Sequence, residues 1–273
     1  MGEEYVASPM GHEISALLHG IWPKSPGKKD PGNSWILRSA KHLYRFAAAI
    51  CKRTAEKGGD GFNIIGSPIY MDTSDGGLLA VVSLSESHLA VYVSPDRENI
   101  HYNLYTCRRP EDGRKTLDHF RRILNPICVK KEESAVPVSA DLATKLYGMN
   151  GKKIIPSGRE YSTVLFKPKA SVSNDNERMM RIIRKAIRVP NLIESWHPFE
   201  PQGLTVTGAW PGGYFAGHTF PEKPFEAIYL RMFNIPFIPA GKSLERIIEA
   251  TKARHSVNLP TISQPRELVG SRS

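Results

Sequence analysis

The sequence predicts an α+β protein in which two similar modules form an αββα sandwich of antiparallel sheets. Three observations carry this expectation. Apolar runs of strand length follow one another over short turns, helix-type apolar stripes bracket each series, and the whole series occurs twice. Sequential strands joined by short turns pair antiparallel, and helices flanking them on one side must cover one face of the sheet. Two such layers then meet sheet to sheet.

The first series opens with a helix whose apolar stripe is Leu43, Phe46, Ala47 and Ile50. Strand-like runs follow at 62–65, 78–84, 89–93 and 100–106, and a second helix carries Leu117, Phe120 and Leu124 on one stripe. In the second series a strand-like run at 161–167 leads to a helix bearing Met179, Met180, Ile183 and Ile187. Short strands are expected at 192–197, 204–208, 213–219 and 226–232, ahead of a helix with Leu244, Ile247 and Ile248. Gly77 and Gly203, Pro95 and Pro221, Asp96 and Glu222, and Leu104 and Leu230 all stand 126 positions apart, which supports a common register. The resulting division is an N-terminal extension at 1–39, a first module at 40–130 and a linker at 131–159. A second module at 160–257 and a tail at 258–273 complete it.

With 273 residues, 40% of them hydrophobic, the chain can bury a substantial core. Its longest apolar run, near 77–82, is far short of the ~20 residues that span a bilayer, and the first residues lack the basic start and apolar stretch of a secretory signal. A cytoplasmic location is the expectation. Cys51, Cys107 and Cys128 are odd in number and widely spaced, so they point to neither a disulfide framework nor a zinc site, and no metal is expected. The net charge of +10 favours acidic partners, but the basic doublets 108–109, 121–122, 130–131 and 152–153 are scattered and not interleaved with aromatics. They read as a solvated surface, and no nucleic-acid partner is expected.

Taken singly, the chemistry-bearing residues are unremarkable. Ser85, Glu86, Ser87 and His88 at the end of an apolar strand read as a polar turn, Cys107 as a small buried hydrophobe, and His218 with Glu222 as a loop pair. Together they resemble the S-adenosylmethionine decarboxylase family, the self-processing pyruvoyl enzymes of polyamine synthesis. In the first module, residues 84–89 (Leu-Ser-Glu-Ser-His-Leu) look like that family's processing sequence, and Tyr105, Thr106 and Cys107 look like its catalytic-cysteine strand. In the second, 199–205 (Phe-Glu-Pro-Gln-Gly-Leu-Thr) is similar to the segment preceding the cleavage motif in single-domain bacterial members. Residues 213–222, ending in His218 to Glu222, resemble the histidine-to-glutamate segment of the longer eukaryotic ones. Each module lacks what the other keeps. At the 126-residue offset, Tyr92 stands for His218 and Thr73 for Phe199 in the first, while Gly213 stands for Ser87 and Phe233 for Cys107 in the second. The resemblance thus implies one hybrid site built across the two modules.

That resemblance implies a zymogen that cuts itself between Glu86 and Ser87 and turns Ser87 into a pyruvoyl cofactor. His218 and the Thr205 hydroxyl would assist proton removal and hold an ester intermediate, Cys107 would return a proton to the substrate, Glu222 would accept the ribose hydroxyls, and Phe199 would stack on adenine. The implied partner is a small molecule, S-adenosylmethionine; a homodimer is compatible with the sequence. Thr205 departs from the family's usual serine, adding a methyl that stiffens the side chain. Trp22 and Trp35 are candidates for a second adenine-stacking aromatic, and Arg231, standing where diamine-stimulated members carry an acid, argues against such activation. The competing readings are a pyruvoyl-dependent arginine or ornithine decarboxylase of the same fold, a pseudoenzyme that never processes, and a basic nucleic-acid-binding protein.

Overall fold

The computed structural model describes residues 10–21, 34–56, 62–85, 87–107, 109–137, 141–142, 146, 160–169, 172, 175–199, 203–221, 226–234 and 240–259. The first module runs β1 (Gly11–His19), a short 3-10 turn at Ser34–Arg38, α1 (Ala40–Glu56), β2 (Ile69–Asp72), β3 (Leu78–Leu84), β4 (Ser87–Val93), β5 (Asn99–Thr106), α2 (Pro110–Leu124) and β6 (Cys128–Val136). The second runs β7 (Glu160–Phe166), α3 (Asn176–Ile187), β8 (Ile193–Phe199), β9 (Gly203–Trp210), β10 (Gly213–Phe220), β11 (Ala227–Asn234), α4 (Ala240–Thr251) and β12 (His255–Asn258). Each module is therefore strand, helix, four strands, helix, strand.

The sheets repeat the same order as well. One reads β2-β3-β4-β5-β1-β6 and the other β8-β9-β10-β11-β7-β12, every pairing antiparallel. Strand alternation divides each sheet into two faces. One face of the first sheet, with Ala80, Val82, Leu89, Val91 and Leu104, packs against Leu43, Phe46 and Ile50 of α1 and Leu117 and Phe120 of α2. In the second sheet Leu204, Val206, Phe215 and Leu230 pack the same way against Met180 and Ile183 of α3 and Leu244 and Ile247 of α4. The other faces meet each other, through Leu79, Val81, Ala90 and Tyr92 against Ala209, Tyr214 and Phe233. This is the expected αββα sandwich of antiparallel sheets.

Local chemistry accounts for the helix limits. α2 starts with Pro110 at a position where no backbone N–H is missed, carries Glu111 and Asp112 in its first turn and Arg121 and Arg122 in its last, and stops at Asn125 in the left-handed region. α3 is capped by Asp175, whose carboxylate accepts the backbone N–H of Arg178 at 2.8 Å, and ends at left-handed Arg188.

Four segments differ from the sequence reading, one of them His255–Asn258, which pairs with β7 as β12 where no strand is expected. The run 62–65 makes only an isolated bridge, Ile64 to Leu84, and the edge strand beside β3 is β2 instead. Residues 11–19, assigned to the N-terminal extension, lie inside the first sheet as β1, between β5 and β6. Residues 131–136, assigned to the linker, continue β6. The reasons are physical. In β1 the residues facing the opposite sheet include Glu13 and Ser15, both buried, so its polar positions are not on a solvent face. β6 is an edge strand whose Lys130 to Glu133 run carries charge as exposed edges commonly do, which disguises it as a loop.

Candidate active site

Between the sheets a polar layer replaces part of the apolar packing. The β9–β10 hairpin sets Thr205 opposite His218, and Thr205 Oγ1 lies 3.1 Å from His218 Nδ1. The other ring nitrogen, Nε2, lies 3.0 Å from His88 Nδ1 on β4, so the contact joins the two modules. His88 Nε2 lies 3.1 Å from Asn103 Oδ1 on β5, and Asn103 Nδ2 donates to Glu13 Oε1 at 2.9 Å and to Ser15 Oγ at 3.0 Å. Glu13 Oε2 accepts from Ser162 Oγ at 2.5 Å and from Tyr229 Oη at 2.9 Å. Arg231 closes the layer with ion pairs to Glu13 and Glu160.

Aromatic rings wall this chain of polar groups. Tyr105 stacks on His218 with ring centroids 4.6 Å apart and on Tyr229 at 4.3 Å. Its hydroxyl accepts from Cys107 Sγ at 3.3 Å, so the cysteine reaches the histidine pair through one ring.

Burial sets the protonation of the layer. His88 and His218 are fully buried. Loss of hydration holds His88 down to about 3, with the Asn103 hydrogen bond opposing and Arg231 adding to the effect. Burial, then repulsion from His88, holds His218 well below its usual value. Both imidazoles are neutral at pH 7, so each has one donor and one acceptor nitrogen. Burial pushes the Tyr105 and Tyr229 hydroxyls well up, so both stay protonated. Burial also pushes Glu160 up to about 7, against the pull of Arg231 and with help from Glu13. Glu13 and Glu160 together hold Arg231 charged despite complete burial.

Of the residues singled out from the sequence, Thr205 and His218 form a direct hydrogen-bonded pair. Ser87 is buried at the first position of β4, in register with Leu84 and Thr106, one residue short of Cys107. Alternation places it on the face opposite His88, and among the described residues no hydrogen bond joins it to His218. Phe199 ends β8 in register with Gly203; its side chain, like Glu86, Glu222 and Trp22, lies outside the described residues. Trp35 is 40% exposed and meets His42 edge-on at 6.1 Å, away from the polar layer. Sequence reasoning gave no role to His88, Asn103, Glu13, Tyr105 or Tyr229, and took Arg231 only as an argument against a diamine. A signal was present: in β1, β4, β5 and β11 polar or ionisable residues recur at inward positions of otherwise apolar strands.

No family model matches this chain, and no curated protein does. Among solved structures it is similar to the adenosylmethionine decarboxylase from Aquifex aeolicus, with a TM-score of 0.39 and 19% identity over 50% of this chain and 97% of that one. It is also similar to a chlorite dismutase from Candidatus Nitrospira defluvii in complex with imidazole, with a TM-score of 0.23 and 11% identity over 93% of this chain and 87% of that one.

Proposed function

We propose that this chain cuts itself between Glu86 and Ser87, carries a pyruvoyl group at residue 87, and decarboxylates S-adenosylmethionine. The observation that carries the proposal is the neutral Thr205–His218 pair of the second module, held against His88, the residue next to Ser87 in the first. In the cleavage, the Ser87 hydroxyl attacks the Glu86 carbonyl carbon, the C–N bond breaks, and an ester replaces the peptide bond. Removal of the Ser87 α-proton then expels the Glu86 carboxylate, and hydrolysis of the remaining dehydroalanine releases ammonia. A neutral imidazole suits the proton removal, and the Thr205 hydroxyl suits a charged oxygen of the intermediate.

The residues present fit a pyruvoyl group in part: its precursor serine is buried and in register with Thr106, the residue before Cys107, although it lies on the face of β4 opposite His88. When formed, the group supplies a ketone as electron sink for loss of CO₂ from an amino acid. This chain's own part is to keep His218 neutral, to hold Cys107 beside the Tyr105 hydroxyl, and to bind the substrate. The adenosyl assignment rests on the family resemblance of Phe199 and Glu222. A carboxylate that accepts two ribose hydroxyls favours a nucleoside over arginine or ornithine, whose binding leaves it unpaired.

An uncut scaffold is the second reading, favoured by Ser87 lying on the face opposite His88 and by Thr205 in place of serine. Intact mass of the purified protein separates the two. Self-processing gives chains 1–86 and 87–273, the second with a blocked N-terminus, and Ser87→Ala stays full length; a single wild-type chain after prolonged incubation refutes it. Release of labelled CO₂ from carboxyl-labelled S-adenosylmethionine, but not from arginine or ornithine, is the expected substrate result. Release from either amino acid alone overturns the adenosyl assignment and leaves the pyruvoyl mechanism standing.

A further inference from the structure

We propose that His88 is a positioning residue which, with Asn103, locks His218 in the tautomer whose Nδ1 accepts the hydrogen of the Thr205 hydroxyl. The direction of every hydrogen bond in the layer follows from its far end. Arg231 can only donate, and it donates to Glu13, so Glu13 is an acceptor. Asn103 therefore turns its NH₂ toward Glu13 and Ser15, leaving its carbonyl oxygen toward His88. That oxygen can only accept, so His88 carries its hydrogen on Nε2. Its Nδ1 is then a bare acceptor facing His218 Nε2 at 3.0 Å, which must carry the hydrogen. His218 Nδ1 is left bare, 3.1 Å from Thr205 Oγ1, and the hydroxyl donates to it.

The alternative tautomer has a cost at both ends. With hydrogen on Nδ1, His218 would present a lone pair to the lone pair of His88 and leave two buried acceptors facing each other. It would also reverse the hydrogen bond to Thr205, making the hydroxyl the acceptor. A buried polar group without a partner is strongly disfavoured, so the ion pair of Glu13 with Arg231 sets the basic nitrogen of His218 three residues away. In the second module Tyr214 stands at the position equivalent to His88 and Tyr229 at that of Asn103, so the relay exists in one copy, on the side of the cleavage sequence.

The effect on cleavage rests on the self-processing reading; the tautomer does not. Nitrogen-15 NMR of the histidine-labelled full chain reports which imidazole nitrogens carry hydrogen. The expected wild-type result is hydrogen on Nε2 and none on Nδ1 for both His88 and His218. His88→Gln offers His218 an acceptor and Asn103 a donor, so it should keep the His218 tautomer and cut close to the wild-type rate. His88→Phe keeps a stacking ring but offers no acceptor, so His218 should lose its single tautomer and self-cleavage should slow on the order of 100-fold. Hydrogen on His218 Nδ1 in the wild type overturns the proposal, as does a His88→Phe chain with the wild-type tautomer and rate. If no chain cuts, the self-processing reading fails and the spectra alone decide the tautomer. If His88→Phe does not fold, the wild-type and His88→Gln spectra still decide it.

Discussion

At the scale of single residues the polar layer makes separable demands on a hydroxyl, a thiol and two imidazoles. Thr205→Val keeps the shape of the side chain but removes the donor to His218, leaving a buried nitrogen unpaired. It should destabilise the protein by about 1–3 kcal/mol and slow self-cleavage, whereas Thr205→Ser keeps the donor and should cut at least as fast as wild type. Time courses of intact mass and denaturant midpoints check both. Cys107 donates to Tyr105 and is not part of the Thr205–His218 hydrogen bond, so it is dispensable for the cut and needed for turnover under the proposed function. Cys107→Ala should yield both chains yet lose most CO₂ release; turnover at the wild-type rate would reduce Cys107 to packing.

The elements around the site differ between modules where their hairpins turn. Leu84 pairs with Ser87 and Trp210 with Gly213, so both hairpins turn over two residues and Gly213 is the counterpart of Ser87. Gly213 adopts φ +151°, and a Cβ there would lie 2.0 Å from the Phe233 carbonyl oxygen. The second hairpin cannot hold any side chain at this position, serine included. Gly213→Ala should therefore cost about 1–3 kcal/mol or more, read as a lowered denaturant midpoint with an unchanged slope. A stability equal to wild type would mean that the β10 start relaxes freely.

Across the whole molecule, the two sheets are tied by the ion pair of Glu13 from the first with Arg231 from the second, which also pairs with Glu160 of its own sheet. Arg231→Met leaves two buried carboxylates without a counter-charge and should destabilise by about 3–5 kcal/mol. The pH dependence has opposing parts. His88 is depressed from 6.5 to about 3, so its contribution is present above pH 6.5 and is lost as pH falls toward 3; His218 acts in the same direction. Glu160 is raised from 4.5 to about 7, so its contribution is full below pH 4.5 and lost as pH rises to 7. Between pH 6.5 and 4.5 the native chain gains a proton at Glu160 that the unfolded chain does not, which offsets one histidine. Glu160→Gln removes that offset, and stability should then fall more steeply on acidification, by up to about 1.4 kcal/mol per pH unit. Equal slopes for the two proteins in denaturant titrations across this range would disprove the assignment.

How far the sequence carries is visible in particular strands. β3, β9, β10 and β11 are mainly apolar runs of strand length between Gly, Pro and polar turns, and the stripes of α1 to α4 recur at helical spacing, so local pattern determined the element types, the repeat and the fold class. Thr205 and His218 fall into one candidate site through resemblance to a family rather than through periodicity. β1 and β6 escaped notice because one buries a glutamate and the other exposes a lysine pair. Only the tertiary structure decided that β1 belongs to the first sheet and that His88, Asn103, Glu13 and Arg231 form one polar layer with the Thr205–His218 pair. Strand and helix periods report which face of an element a residue occupies, and they are set by neighbours a few positions away. A hydrogen bond between imidazoles on different sheets, or an ion pair between β1 and β11, depends on how those faces meet after the chain has folded, and nothing in the spacing along either strand encodes that distance.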